Sequence, residues 1–572
     1  MRKKLWAKGM AGILVAAMCL TGCGGQAEKT DSGSASAGES GQTSEGNEAG
    51  NEGGNSLYTE VGTYPIVTEP ISLSVFAPQP VGIIDLNTNE FTVYLEELTG
   101  IDLEFEVAPS DSATEKANLI MTGGDMPDVF LVGNSGGVIP DETRFGIEEG
   151  SLIDLTDLIE TQMPNFKKFL DETPGLRGQI TAIDGKIYTL PRFNEAYHVT
   201  YSHKMWVNTM LLEEMNEKLP STTEEFYNLC KKYKEMYPEG IPVLGGTYWN
   251  GNPVSFLTNA FTYYPGNQSA HGMVVSSGTV STMANTEEYR EALRYMKKLY
   301  EEGLLYEGSF TMDDQQAKAL VASEGEPALF VMGGASIIFI DSAANPELYS
   351  HYYPLEPLKG PEGVQYATYV PTEVYPAAAI TSACKYPEAA ARMIDYLYSF
   401  EGTTNATNGV KGEESWGDAL EGDVGLDGQP ALYRSYRPYS TEPQNSTWQD
   451  GGLDFHPSAF RFGEATDPDV DIFSAEGLEM MLYRATSGLY EPHKPTDVET
   501  LPTTLKLTVD ESQEIQTMSV EVMNYYQQST VQFITGAMDL DTDWDTYVKG
   551  LSDMGMDRLI EVYQTAYDRV YK

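Results

Sequence analysis

The chain has few of the residues that usually carry chemistry. Its 572 residues include only four cysteines and six histidines. No CxxC pair and no closely spaced His/Cys set occurs, so neither a metal nor a cofactor is expected. His198 and His203 stand five apart, a spacing that does not place them on one helix face. Basic residues are scarce as well: 36 Lys and Arg face 85 Asp and Glu, a formal net charge of −49. A body this acidic repels phosphate backbones, which sets nucleic acid aside as a partner. Past the first twenty residues no apolar run approaches the roughly eighteen needed to span a membrane. Carboxylates are so abundant that no acid–base dyad stands out, and no nucleophile motif is found. An enzyme is therefore not expected.

The N-terminus differs in kind. Arg2, Lys3, Lys4 and Lys8 precede an apolar run from Met10 to Leu20, which closes on Leu20-Thr-Gly-Cys23. Eleven residues of helix reach about 16 Å, roughly half of a bilayer core, so the run reads as an export signal and not as an anchor. The Leu-Thr-Gly-Cys ending resembles the lipobox of bacterial lipoproteins. That resemblance implies a signal over 1–22 and a diacylated Cys23 as the first mature residue. From Gly24 to about Ser56 the chain is Gly, Ser, Glu, Asn, Ala, Thr and Gln, too polar to form a core. Such a tether has a mean span of roughly 30 Å, enough to hold a folded body off a membrane. Residues 23–57 are read as the lipidated cysteine and linker, and 58–572 as the folded part.

Strands and helices alternate in that part. Ile71–Ala77, Ile101–Ala108 and Asp128–Val132 read as strands, separated by helices over Phe91–Leu98 and Ala113–Thr122. This order predicts parallel βαβ units and an α/β fold. Ser221-Thr-Thr-Glu224 reads as a capping box for a helix over Glu225–Tyr237. Asn285 with Glu288 opens another helix, which Gly303 closes. Pro387 starts a third, with Gly402 as its stop. Cys230 and Cys384 are either small buried side chains or a bridge that nothing in their setting favours.

Taken in order, the motifs resemble extracellular solute-binding proteins of family 1. Lys116-Ala-Asn-Leu-Ile-Met-Thr-Gly-Gly-Asp125-Met-Pro-Asp128, Asp184-Gly-Lys-Ile-Tyr-Thr-Leu-Pro191, Leu219-Pro-Ser-Thr-Thr-Glu-Glu-Phe226 and Cys384-Lys-Tyr-Pro-Glu-Ala-Ala-Ala391 carry the likeness. Phe533-Ile-Thr-Gly-Ala and Trp544-Asp-Thr-Tyr547 are similar to the large lipoprotein branch in Gram-positive bacteria. The resemblance implies a type II periplasmic-binding-protein fold, with two α/β lobes joined by a hinge around a cleft. Lobe one would hold about 58–200 and 366–405, and lobe two about 201–365 with much of 406–572. It further implies a monomeric receptor, anchored on the outer face of the membrane, that hands an oligosaccharide to the permease subunits of an ABC importer. A peptide ligand, or a surface hydrolase or lyase acting on polysaccharide, is the alternative.

Candidate ligand residues follow from loops at strand ends and from exposed-looking aromatics, since sugar rings pack their C–H faces on aromatic faces. Gln79 follows the first strand. Asn134 and Ser135 lie in Gly133-Asn-Ser-Gly-Gly137, glycine-permissive backbone after a central strand. Trp206 lies near the lobe crossing, and Tyr248, Trp249 and Asn250 follow an apolar strand. Trp416, Trp448 and Asp450 sit in irregular polar stretches; Arg192 and Glu373 complete the set. Asp539-Leu-Asp541-Thr-Asp543-Trp-Asp545 resembles a calcium loop but lacks its sixth-position glycine and twelfth-position glutamate. Capping of the following helix by Asp543, with Trp544 in the core, is the expected role.

Overall fold

The opening βαβα pattern forms as its periodicity demands. In the computed structural model Ile71–Gln79 pairs in parallel with Ile101–Pro109, Ile71 opposite Ile101 and Gln79 opposite Pro109. Helix Glu90–Thr99 crosses between them, capped by the Asn89 side chain and ended by Gly100 in a left-handed turn. Val129–Leu131 adds a second parallel neighbour to the first strand. The structure describes residues 57–572, except 81, 134–135, 267–270, 322–328, 338–339, 341, 343–344, 373, 438–441, 450 and 503. Cys23, Asn134, Ser135, Glu373 and Asp450 thus lie outside the described residues.

Tyr375–Ile380 returns much later in the chain and pairs antiparallel with Val129–Leu131 on one side and with Leu190–Asn194 on the other. The two-residue strand Phe455–His456 then closes a six-stranded sheet. A second, four-stranded sheet contains Tyr352–Pro354, Met205–Asn208, Leu329–Gly333 and Ile241–Leu244 in that order. Each sheet has its own core. Leu73, Val75, Leu131, Leu190 and Ile380 anchor the first, against Ile394 and Leu397 of helix Pro387–Leu397. Met205, Val243 and Phe330 anchor the second, against helices Glu287–Glu301 and Val509–Thr535. The chain passes between the two sheets' cores three times, over 195–204, 355–374 and 457–477, the last leading from Phe455–His456 to helix Leu478–Ala485.

Several helix ends lie a residue or more from their sequence reading. The box over 221–224 is shifted by one, with Thr222 accepting from the Glu225 amide while the Glu225 carboxylate takes the amide and hydroxyl of Ser221. Thr286, and not Asn285, caps the helix Glu287–Glu301. Gly402 does not end the Pro387 helix, which stops at Leu397; it lies buried in the next one, Phe400–Asn408. A Cβ there would meet the Tyr396 carbonyl, so glycine serves close approach and not termination. Asp543 occupies the N-cap position, yet its carboxylate accepts from the Asp539 amide and not from the helix. Cys230 and Cys384 are both free.

Candidate functional site

Among the described residues, a polar hollow lies where the third crossing leaves the six-stranded sheet. It encloses about 860 Å³ and is walled by Thr407 and Asn408, by Gln444, Ser446, Thr447 and Gln449, by Phe460, Arg461 and Glu464, and by Glu479. Glu479 belongs to helix Leu478–Ala485, whose Met481 and Leu482 pack with Trp206 in the core beside the four-stranded sheet. Side chains tied to both sheets therefore meet in one cavity.

Its floor is a fixed polar chain. Asn194, the last residue of its strand, accepts from Arg461 Nη2 at 2.7 Å and Nε at 3.2 Å. The Asn194 amide donates to Asp454, which also meets Arg192 at 2.9 Å and His456 at 3.0 Å. His456 reaches Thr407 through its other ring nitrogen and stacks on Phe460 at 4.6 Å. Burial pushes the Asp454 carboxyl up, but His456, Arg192 and Arg461 outweigh it and hold the group below its usual value. Burial, with the Glu479 charge adding to it, raises the Glu464 carboxyl. A guanidinium held by Asn194 offers its remaining N–H groups in a set direction, and the carboxylates beside it accept from hydroxyls.

A second hollow of about 260 Å³ sits at the carboxyl end of Ile241–Leu244, walled by His203, Thr247, Tyr248, Asn250, Tyr264 and Gln527. Burial drives the His203 imidazole down to about 4, so it is neutral near pH 7. Asn250 adopts a left-handed backbone (φ 51°), which turns the chain back toward Gly251 and the helix at Pro253.

A profile of bacterial extracellular solute-binding proteins matches residues 85–404, more than half of the chain. The chain belongs to that family. FusA of Streptococcus pneumoniae, a fructooligosaccharide ABC transporter substrate-binding protein, is 26% identical over 89% of this chain and 92% of its own. The FusA structure in complex with kestose matches with a TM-score of 0.64 at 22% identity, over 87% of this chain and 99% of that one. A solute-binding protein of Bifidobacterium longum infantis, described as HMO-binding, gives 0.69 at 18% identity over 88% and 100%. The fold is thus the two-lobed periplasmic-binding-protein type, with the two sheets as its lobes.

In this solute-binding protein the residues expected at the cleft divide sharply. Tyr248 and Asn250 line the smaller cavity, and Trp249 between them is 48% exposed. Three tryptophans expected to offer open faces do not. Trp206 is fully enclosed and donates to the Gly334 carbonyl. Trp448 lies edge-on to Phe91 and Phe105 and donates to Thr92. Trp416 is buried against Phe400 and Tyr433, with its N–H on Asn405. Each indole satisfies its one donor internally, which suits a core role. Gln79 spends its amide on its own loop, donating to Ile83, and Arg192 lies beneath the larger cavity in its pair with Asp454. Arg461, Glu464 and Gln449 are the residues that sequence reasoning missed. Strand alternation gave no signal for Gln449, which stands in a left-handed turn (φ 43°) of an irregular stretch.

Proposed function

We propose that this chain is a lipid-anchored receptor that captures an oligosaccharide outside the cell and delivers it to an ABC importer. The observation that carries the reading is the larger cavity, in which a pre-positioned Arg461 stands beside Glu464, Glu479, Gln444 and Gln449. Its volume falls in the range of small-molecule sites, and its polar groups suit a ligand made of hydroxyls. Relatives named for fructooligosaccharide and for polygalacturonan/rhamnogalacturonan support carbohydrate over peptide. Capture asks for a hinge, a cleft and a docking face, and for no catalytic group. The ligand favours closure only as far as it touches both lobes. Diacylated Cys23 and the polar tether behind it would keep the receptor beside the permease, where its effective concentration stays high.

Thermal melting against a panel of neutral and acidic oligosaccharides and short peptides tests this. A bound sugar at a hundredfold its Kd should add about 2.7 kcal/mol of stability and be recovered intact. Cleaved products would make the protein an enzyme, and a shift with peptides alone would replace the sugar. Cys23→Ser should release a protein that still binds ligand but supports uptake poorly.

A further inference from the structure

Away from the three crossings, one ion pair among the described residues joins the lobes. Lys506 Nζ lies 2.5 Å from Glu142 Oε1, with side chains only 24% and 14% exposed. Glu142 opens the short helix Glu142–Glu148, just past the carboxyl end of the central strand Val129–Leu131. Phe145 of that helix packs with Phe76 and Phe130 of the six-stranded sheet. Lys506 is flanked by Leu505 and Leu507, which pack on the other lobe's core.

Both partners are mounted firmly. Asp141 caps the Glu142 helix through the Arg144 amide at 2.7 Å. Arg569 of the C-terminal helix holds the Lys506 carbonyl and the Glu511 carboxylate, and Glu511 closes a capping box with Thr508 at the start of Val509–Thr535. Lys506 is thus fixed to the helix that supplies Gln527 to the smaller cavity.

We propose that Glu142 and Lys506 form a charged clasp between the lobes that biases them toward closure and so prolongs ligand retention. They are positioning residues that line neither cavity, and the inference rests on the capture reading above. An exposed ion pair contributes little, because water competes for both charges. This pair is largely shielded, and Glu142 Oε2 is buried without a hydrogen-bond partner. Losing Lys506 in the closed arrangement would leave that carboxylate shielded and unpaired, whereas opening returns it to water. Ligand affinity then falls with the fraction of molecules in the closed state.

Hydrogen–deuterium exchange on the ligand-free full chain reads the clasp directly. K506M and E142Q should each raise exchange about two- to fivefold in peptides covering 137–148 and 504–510, the range of a modest ion pair. K506R should stay near the parent. Half-molar salt should move the parent toward K506M and leave K506M unchanged. Unchanged exchange in both variants overturns the clasp, as does a rise spread over the whole folded part or shared by K506R. A failure of the capture reading would appear elsewhere, as no oligosaccharide shifting the parent's melt.

Discussion

The two cavities are built from different materials. The larger is walled by ionisable groups, with Arg461 on Asn194 and Glu464 and Glu479 nearby. The smaller has aromatic and neutral polar walls: Tyr248, Tyr264, Thr247, Asn250, Gln527 and a neutral His203. Charged groups aim at hydroxyls from fixed positions, while rings and amides tolerate a range of poses. Under the capture reading, the first kind of wall would set a ligand's orientation and the second would accept varied poses. In both, the buried tryptophans stand behind the wall and hold it up.

That last point carries the largest expected effect. Trp448→Ala removes a fully buried indole that backs Thr447 and Gln449, and should cost about 3–5 kcal/mol in denaturant unfolding. Loss of sugar binding with stability unchanged would return Trp448 to the ligand and erase the contrast.

A smaller effect should separate the walls themselves. Arg461→Ala should weaken oligosaccharide binding about 10- to 100-fold, the worth of hydrogen bonds to a charged group. Trp249→Ala should weaken it about 2- to 10-fold, as loss of an aromatic contact does, with stability within about 0.5 kcal/mol. Isothermal titration measures both. The reverse ranking would make lobe two the orienting wall.

How far these walls were legible in the sequence follows from what each depends on. Local rules placed the βαβ opening: Ile71–Gln79 and Ile101–Pro109 exceed their predicted bounds by one or two residues, and Gly100 ends the helix between them as a glycine should. The proline at 387 likewise starts its helix. Caps failed where two candidates stood side by side, as with Thr222 and Thr286, because a one-residue shift costs propensity almost nothing. The tryptophans failed for a different reason. An irregular polar stretch such as 446–450 reads as surface, yet Phe91 and Phe105, more than 300 residues earlier in the chain, cover Trp448. No local pattern records so distant a partner. Arg461 was missed likewise, since it lies in the short helix Ser458–Gly463 while its orienting Asn194 ends a strand 267 residues earlier.

A further effect concerns the crossing that links the two regions. Lys204, beside His203, is 1% exposed, and its ammonium donates to the carbonyls of His198 and Tyr201 and lies 5.2 Å from the Tyr490 ring. No carboxylate pairs with it among the described residues, and burial pushes its pKa down from 10.5 to about 7. An unfolded lysine keeps its proton to about pH 10. Between pH 7 and 10 the unfolded chain therefore binds more protons than the folded one, and stability rises with pH there. Below pH 7 both states are protonated and the slope from this group vanishes. Lys204→Met keeps a chain of similar length without the titration. The stability of the parent minus that of the variant should be flat below about pH 6 and climb toward pH 9, by at most about 1.4 kcal/mol per unit. Melting curves across that range measure it. A flat difference throughout would mean that carbonyls and a tyrosine face compensate a buried cation as fully as Asp454 does for Arg192, and the lysine would then stay charged at the hinge.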